Sequence, residues 1–214
     1  MRSIFLSIFL VVPFFAMANE KKAVDLLDKA VAKMQADYPL QMTFSMSIYD
    51  SDTTLRFFDV GTLRVDKNSS HGFAERYVLL LNSMKIWCDG TTLWSYMEQT
   101  DEIYKMSPED EGVQNFSPVY LMQLYKQGYK CSVEDYADGK AVTLLCENSD
   151  MGIDKVVVYL LDEWVLPEKI KIYMNGDGYT ELVIQDYNPY VTFDDSIYRC
   201  PVEDFPNAEV VDMN

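Results

Sequence analysis

The chain holds a single histidine, His71, among 214 residues. It lies in a polar Asn68-Ser69-Ser70-His71-Gly72 loop, so no Ser-His-Asp or Cys-His pair can be assembled. No glycine-rich phosphate loop follows an apolar strand. The cysteines at 88, 131, 146 and 200 make no paired C-x-x-C spacing, which removes the commonest zinc signature. Basic residues are also scarce, with 18 Lys and Arg against 34 Asp and Glu and a formal net charge of −16. A surface this acidic repels nucleic acid and anionic headgroups, so a partner met electrostatically is expected to be basic. The acids themselves, as in Glu109-Asp110-Glu111 and Asp194-Asp195, are adjacent in loops, where solubility and capping are their usual work. Trp87, Trp94 and Trp164 could serve as sugar platforms, but no carboxylate spacing supports a hydrolase beside them. No catalytic residue, metal site or cofactor is expected.

Long apolar runs are absent except at the start. Met1-Arg2-Ser3 is a short positive opening, Ile4 to Phe15 is apolar apart from Ser7 and Pro13, and Ala16-Met17-Ala18 is a small-residue cleavage site. The run is short of the ~20 residues of a comfortable membrane span. Residues 1–18 therefore read as an export signal, and 19–214 as one domain with no Pro/Gly/Ser-rich linker, repeat or low-complexity tract. The expected location is the periplasm.

From Glu20 to Asp37 the apolar residues Ala23, Leu26, Leu27, Ala30, Val31 and Met34 recur at helical spacing. Lys21, Asp25, Asp28, Lys29 and Lys33 fall mainly opposite, and Pro39 ends the helix. The period then changes to two. Met42, Phe44, Met46 and Ile48 alternate with Thr43, Ser45 and Ser47, and Leu55, Phe57, Gly61, Leu63 and Val65 follow on the next strand. Further strands are predicted near 73–80, 84–88, 92–97, 103–106, 129–135, 141–147, 154–161, 168–174 and 179–187. Ser117 as N-cap, Pro118 at N1 and Gly128 at C′ bracket a short helix carrying Val119, Leu121, Met122 and Leu124. The fold class is mainly antiparallel β with a few helices (α+β). About eleven strands form a highly curved sheet or incomplete barrel, its apolar concave face covered by helices.

An exported chain meets a compartment where disulfides form. With Asp138-Gly139 as a two-residue turn, Cys131 and Cys146 face each other at a hydrogen-bonded pair, their Cα atoms about 5.5 Å apart. That separation suits a disulfide, and the pair is the disulfide candidate. Cys88 and Cys200 have no comparable local support.

Lys85-Ile-Trp-Cys-Asp-Gly-Thr-Thr-Leu-Trp-Ser-Tyr96 forms a hairpin about Asp89-Gly90, with Trp94 and Tyr96 on one face. Together with the N-terminal helix, the strand Gly61-Thr-Leu-Arg-Val65, the helix Ser117-Pro-Val-Tyr-Leu-Met-Gln-Leu124 and Leu166-Pro167 leading to Tyr179-Thr-Glu-Leu-Val-Ile184, it makes a pattern. So does the tail Ile197-Tyr-Arg-Cys-Pro201. In these segments the chain resembles the periplasmic outer-membrane lipoprotein carriers of the LolA type.

The resemblance implies a half-open barrel that shields the acyl chains of a lipoprotein. The cargo comes from an inner-membrane transporter and passes to an outer-membrane acceptor, with the carrier expected to be a monomer that uses no cofactor. Strand parity and family position select Phe44, Met46, Ile48, Leu63, Val65, Trp94, Tyr96, Leu121 and Met122 as the acyl-chain cavity; packing in an ordinary core is the alternative for each. The family pattern places a lid-gating Arg followed by Pro after the Gly-x-Leu-x-Val strand. Lys67 and Asn68 stand there in this chain, and Lys lacks the planar five-donor fork of Arg. Lys67 is thus the gating candidate, or else a solvated turn residue. A lipid-binding or envelope-sensing module of the same fold, which does not ferry lipoproteins, is the alternative function; a scaffold whose concave face is filled by its own side chains is a third.

Overall fold

The computed structural model describes residues 12–67, 75–108, 118–146, 152–161, 165–174 and 178–213. Residues 1–11 of the expected signal, Asn68, His71, Glu109-Asp110-Glu111, Ser117, Trp164 and the turn Asn175-Gly176-Asp177 lie outside them.

Two antiparallel meanders make up the sheet. The first is β1 (Leu40–Tyr49), β2 (Leu55–Lys67), β3 (Glu75–Leu80), β4 (Met84–Cys88), β5 (Leu93–Met97) and β6 (Glu102–Met106). The second is β7 (Lys130–Tyr136), β8 (Gly139–Leu145), β9 (Ile153–Leu161), β10 (Pro167–Met174) and β11 (Tyr179–Asn188). Strand β1 pairs with β11 and so joins the two halves. A twelfth strand, β12 (Glu209–Asp212), was not expected from the sequence; it runs parallel to β6, from Glu209↔Glu102 to Asp212↔Lys105. The order β12-β6-β5-β4-β3-β2-β1-β11-β10-β9-β8-β7 leaves the sheet open and curved rather than closed.

Helix α1 (Val12–Ala36) begins before the expected Glu20, running unbroken from the apolar segment into the amphipathic one. Ala23, Leu27, Ala30, Val31 and Met34 are buried, and Lys21, Asp25, Asp28, Lys29 and Lys33 are exposed, as the spacing requires. The buried face packs with α2 (Pro118–Met122), the following 3-10 turn Leu124–Gln127 and the concave side of the sheet into one apolar cluster. Gly128 ends the turn at φ 93, a left-handed conformation that suits glycine. Polar tethers fix α1 in place. The Asn19 side chain donates to the Val133 carbonyl at 2.9 Å and accepts from the Val133 N–H at 2.7 Å, giving edge strand β7 a partner that no strand supplies. Tyr187 donates to Asp37 at 3.0 Å, and Tyr125 to Asp28. Burial, and then the bond to Asp28, push the Tyr125 phenol up to about 12.

The convex side has two parts. Over β3 to β6, the chain after β11 crosses as a strap, burying Tyr198 and packing Phe193, Ile197, Phe205 and Ala208 on Val78, Trp87, Tyr96 and Ile103. As expected, Asp194 caps the helical turn Asp195–Tyr198, accepting from the Ser196 N–H at 2.9 Å. Arg76 lies over the Tyr198 ring at 4.4 Å and pairs with Asp66 and Asp195 at 2.9 and 2.7 Å. Over the second meander, Tyr and Lys alternate across strands. Lys169 lies over Tyr136 and Tyr159, Lys155 over Tyr173, and Lys171 over Tyr179. Such cross-strand pairs stabilise a sheet face left to solvent.

The β7–β8 hairpin corrects one expectation. Tyr136 pairs with Gly139, so Ala137-Asp138 make the turn and Cys131 stands opposite Leu144. Cys146 is then a diagonal neighbour of Cys131, about 7–8 Å away in such a ladder, past the reach of an unstrained disulfide. All four cysteines are free thiols in this structure, and burial pushes those of Cys88 and Cys131 up to about 11. The shift has a steric cause. A Cβ on Gly139 would stand 2.0 Å from the Leu160 carbonyl oxygen, so this glycine is required inside the strand, against β9, and not in the turn. Ala137 instead takes the positive φ of 43°.

Replacing Gly139 by Ala is expected to force β8 off β9 and to cost about 3 kcal/mol, read as a lowered urea midpoint. An unchanged midpoint would contradict the close approach.

Candidate functional site: an apolar pocket at the seam of the two meanders

Where β1 joins β11, the concave face carries a pocket lined by Met42, Phe44, Met46, Leu63, Leu79, Leu81, Met84, Leu182 and Ile184. Every lining side chain is apolar, and three are methionines, whose unbranched thioethers repack at little cost. The register explains the convergence. Phe44 pairs with Ile184 and with Gly61, Met46 with Leu182 and with Asp59, and Met42 with Leu63, so residues of one parity on three strands share a face. A bulge between Thr43 and Phe44 passes Gln185 without a partner and lets Tyr187 rejoin the concave side opposite Met42.

Gly61 supplies the floor. A Cβ there would lie 2.7 Å from the Phe44 ring tip and 2.8 Å from Leu81 Cδ2, so both side chains rest on the space that the glycine leaves. Beside it is the one buried acid of β2, Asp59, 4% exposed. Its carboxylate accepts from the N–H groups of Val60 (2.8 Å), Asn82 (3.0 Å) and Ser83 (3.3 Å), from the Asn82 amide (2.5 Å) and from the Ser83 hydroxyl (3.3 Å). Burial opposes the charge, but these donors prevail and hold the carboxyl below the ordinary aspartate range. Asp59 thereby anchors the β3–β4 turn, which carries Leu81 and Met84 to the pocket wall.

The residues selected from the sequence divide. Phe44, Met46 and Leu63 line the pocket. Ile48 lies on the same face of β1 but two residues beyond, 38% exposed. Val65 is core, and Leu121 and Met122 are buried with α1. Trp94 and Tyr96 do share a face of their hairpin, but it is the convex one. The Tyr96 ring packs at a tilt against Phe205 of the strap, centroids 4.3 Å apart, and Leu93 takes the concave position. Alternation fixes which residues go together and not which side they take; here the strap covers the side opposite the pocket. The turn itself is as expected, with Asp89 accepting from Thr91 and Thr92 N–H groups and Gly90 at φ 91. Lys67 is the exposed last residue of β2, its N–H donating to Asp66 at 2.7 Å. Leu79, Leu81, Met84, Leu182 and Ile184 escaped the sequence reading. The alternation Thr180, Leu182, Ile184 against Glu181 could have shown the last pair, whereas the unbroken run Val78-Leu79-Leu80-Leu81 has no readable parity.

Among the described residues, no group of three or more His, Cys, Asp or Glu side chains is placed to hold a metal ion. The site offers shape and apolar surface and no nucleophile or base.

No protein-family model matches the chain, and neither does any curated protein. Among solved structures it is similar to an outer membrane lipoprotein-sorting protein domain from Vibrio parahaemolyticus, at 10% identity and a TM-score of 0.49, covering 87% of this chain and 99% of that one. A LolA superfamily protein from Nitrosomonas europaea follows at 12% identity and a TM-score of 0.45, covering 84% and 98%. LprF from Mycobacterium bovis is similar at 10% identity and 0.41, covering 81% and 96%. The open, mostly antiparallel architecture rests on the strand order and register.

Two outcomes are expected. Gly61→Ala should press Phe44 and Leu81 into the pocket and cost about 1–3 kcal/mol, with loss of any apolar-dye binding there; a variant that binds and melts like the parent would contradict the packing. Because the folded value of Asp59 is depressed, its contribution is complete at neutral pH. It fades as pH falls from the ordinary aspartate value near about 3.9 through the folded one. Asp59→Asn should therefore be less stable than the parent at pH 7, and the two urea midpoints should converge in acid.

Proposed function

We propose that this protein is a periplasmic carrier that receives the acyl chains of lipoproteins in the concave pocket and ferries them from the inner to the outer membrane. The observation that carries this reading is the all-apolar, methionine-rich pocket at the β1–β11 seam. It agrees with the resemblance of the sequence to the LolA-type carriers and with the export signal expected from residues 1–18. A sixteen-carbon chain gains about 12 kcal/mol from burial at ~0.8 kcal/mol per methylene, so an acylated protein cannot cross water unshielded. A carrier must also release its load. Adaptable apolar contacts with little polar fixation suit both demands. No covalent chemistry is needed, and the partners are an inner-membrane transporter and an outer-membrane acceptor. Lys67 is retained as a candidate for gating from the end of β2.

The cavity measures about 40 Å³, space for roughly three waters. That is too small for an acyl chain, which enters only if part of the wall moves. The same small volume favours, as a second reading, a lipid-binding or envelope-sensing module that engages an acyl chain without carrying a lipoprotein away.

Incubating residues 19–214 with inner-membrane vesicles of the native organism tests both readings. The carrier should release lipoproteins in soluble one-to-one complexes, seen by mass spectrometry, and Phe44→Asp or Met46→Asp should abolish release. Free lipid bound with no lipoprotein released would favour the second reading, and absence of any apolar ligand would defeat both.

A further inference from the structure

We infer that the β3–β4 turn is the wall of the pocket that opens, and that Asp59 is the positioning residue that holds it shut. The inference rests on the acyl-chain reading of the pocket and names how a chain gets in.

The pocket walls differ in how they are held. Those made by β1, β2 and β11 belong to continuous ladders: β1 is paired with β2 along one side and with β11 along the other. To move them is to break several backbone hydrogen bonds at once. The β3–β4 turn is different. Pairing of β2 with β3 stops at Thr62↔Leu80, and pairing of β3 with β4 stops at Leu80↔Lys85. Beyond these pairs, Leu81 N–H donates to the Met84 carbonyl at 2.9 Å, and on the side away from β2 the Ser83 carbonyl accepts from Glu98 N–H at 3.2 Å while Met84 pairs with Met97 of β5. What ties the turn to β2 is the Asp59 carboxylate, through Asn82 and Ser83. Strand β2 itself runs on from Val60 back to Leu55 with no β3 residue beside it, so no β2–β3 pair opposes the turn as it moves away from β2.

The side chains fit a hinged wall. Leu81 rests on bare Gly61 without interlocking with a Cβ, and Met84 has the freest rotamers of any apolar residue. Swinging the turn away from β2, together with the end of the β4–β5 hairpin to which it is bonded, withdraws both from the pocket and widens its small cavity toward the solvent beside β2. On the β2 side the cost falls on the hydrogen bonds to one carboxylate, and each of these is replaceable by water once the turn is out. A carboxylate suits the latch because charge-assisted bonds are stronger than neutral ones yet break without disturbing the sheet.

The test uses cis-parinaric acid, a fluorescent fatty acid, as the probe and follows its uptake by stopped flow. Asp59→Ala should speed association by about tenfold or more, the factor that corresponds to losing a charged hydrogen bond, while raising dissociation in similar measure so that affinity changes little. Asp59→Cys combined with Asn82→Cys, with the 59–82 bond confirmed by peptide mapping, should take up probe when reduced and hardly at all when oxidised. Equal uptake by the oxidised and reduced forms, or an unchanged rate in Asp59→Ala, overturns the gate and leaves the pocket reading standing. Failure of the parent itself to bind the probe overturns the gate together with the carrier proposal. Hydrogen exchange on the unaltered protein is an independent check, since variants can misfold. The amides of Asn82 and Ser83 should exchange faster than those of the β3–β4 ladder and slow when probe is bound, and ladder-like protection in both states would also overturn the gate.

Discussion

The pairing of β1 with β11 is the contact on which the remainder rests. Each meander is built from near neighbours in sequence, but this seam brings Gln41 to Asn188 and Tyr49 to Tyr179. It fuses two modest sheets into one large enough to present a continuous concave face to α1 and α2. A slip of one residue at the seam would turn Met42, Phe44 and Met46 outward together. The bulge at Thr43/Phe44 absorbs a mismatch in length without such a slip, and keeps Leu182, Ile184 and Tyr187 on the side of the pocket.

The concave face is not treated uniformly. Over β7 and β8 it is closed by α1, which is held at one end through Asn19 and at the other through Asp37. Over β1 to β4 it carries the small pocket, and there the packing is made by flexible side chains over a glycine rather than by helix. Tight packing and adaptable packing therefore occupy opposite ends of one surface. The first supplies stability, and the second leaves a place where the contents can change.

Much of this was legible in the sequence because the sheet is two-sided. Period-two alternation marked β1, β2 and β11, and the apolar stripe of α1 was read correctly down to its half-buried Leu26. Turn chemistry placed the Asp89-Gly90 hairpin. Three things were not legible. Alternation in β5 could not tell concave from convex when both sides are covered, which misplaced Trp94 and Tyr96. Gly139 carries the mark of a turn residue, and only the closeness of the Leu160 carbonyl reveals why it belongs to the strand. The role of Asp59 depends on a turn more than twenty residues away, and an acid amid alternating apolar residues looks like a solvated position until that turn is folded over it.

The strap over β3 to β6 bears on the order of assembly. Strand β12 completes β6 from about a hundred residues away, so the first meander emerges from synthesis with an unpaired edge and a bare aromatic convex face. Both stay open until the strap and Glu209–Asp212 arrive, and pairings of such long sequence separation are slow to form. During that interval the edge of β6 is a template for foreign strands. A chain kept unfolded until it has been fully delivered would pass through no such interval, which makes late folding an advantage of this topology rather than an accident of it.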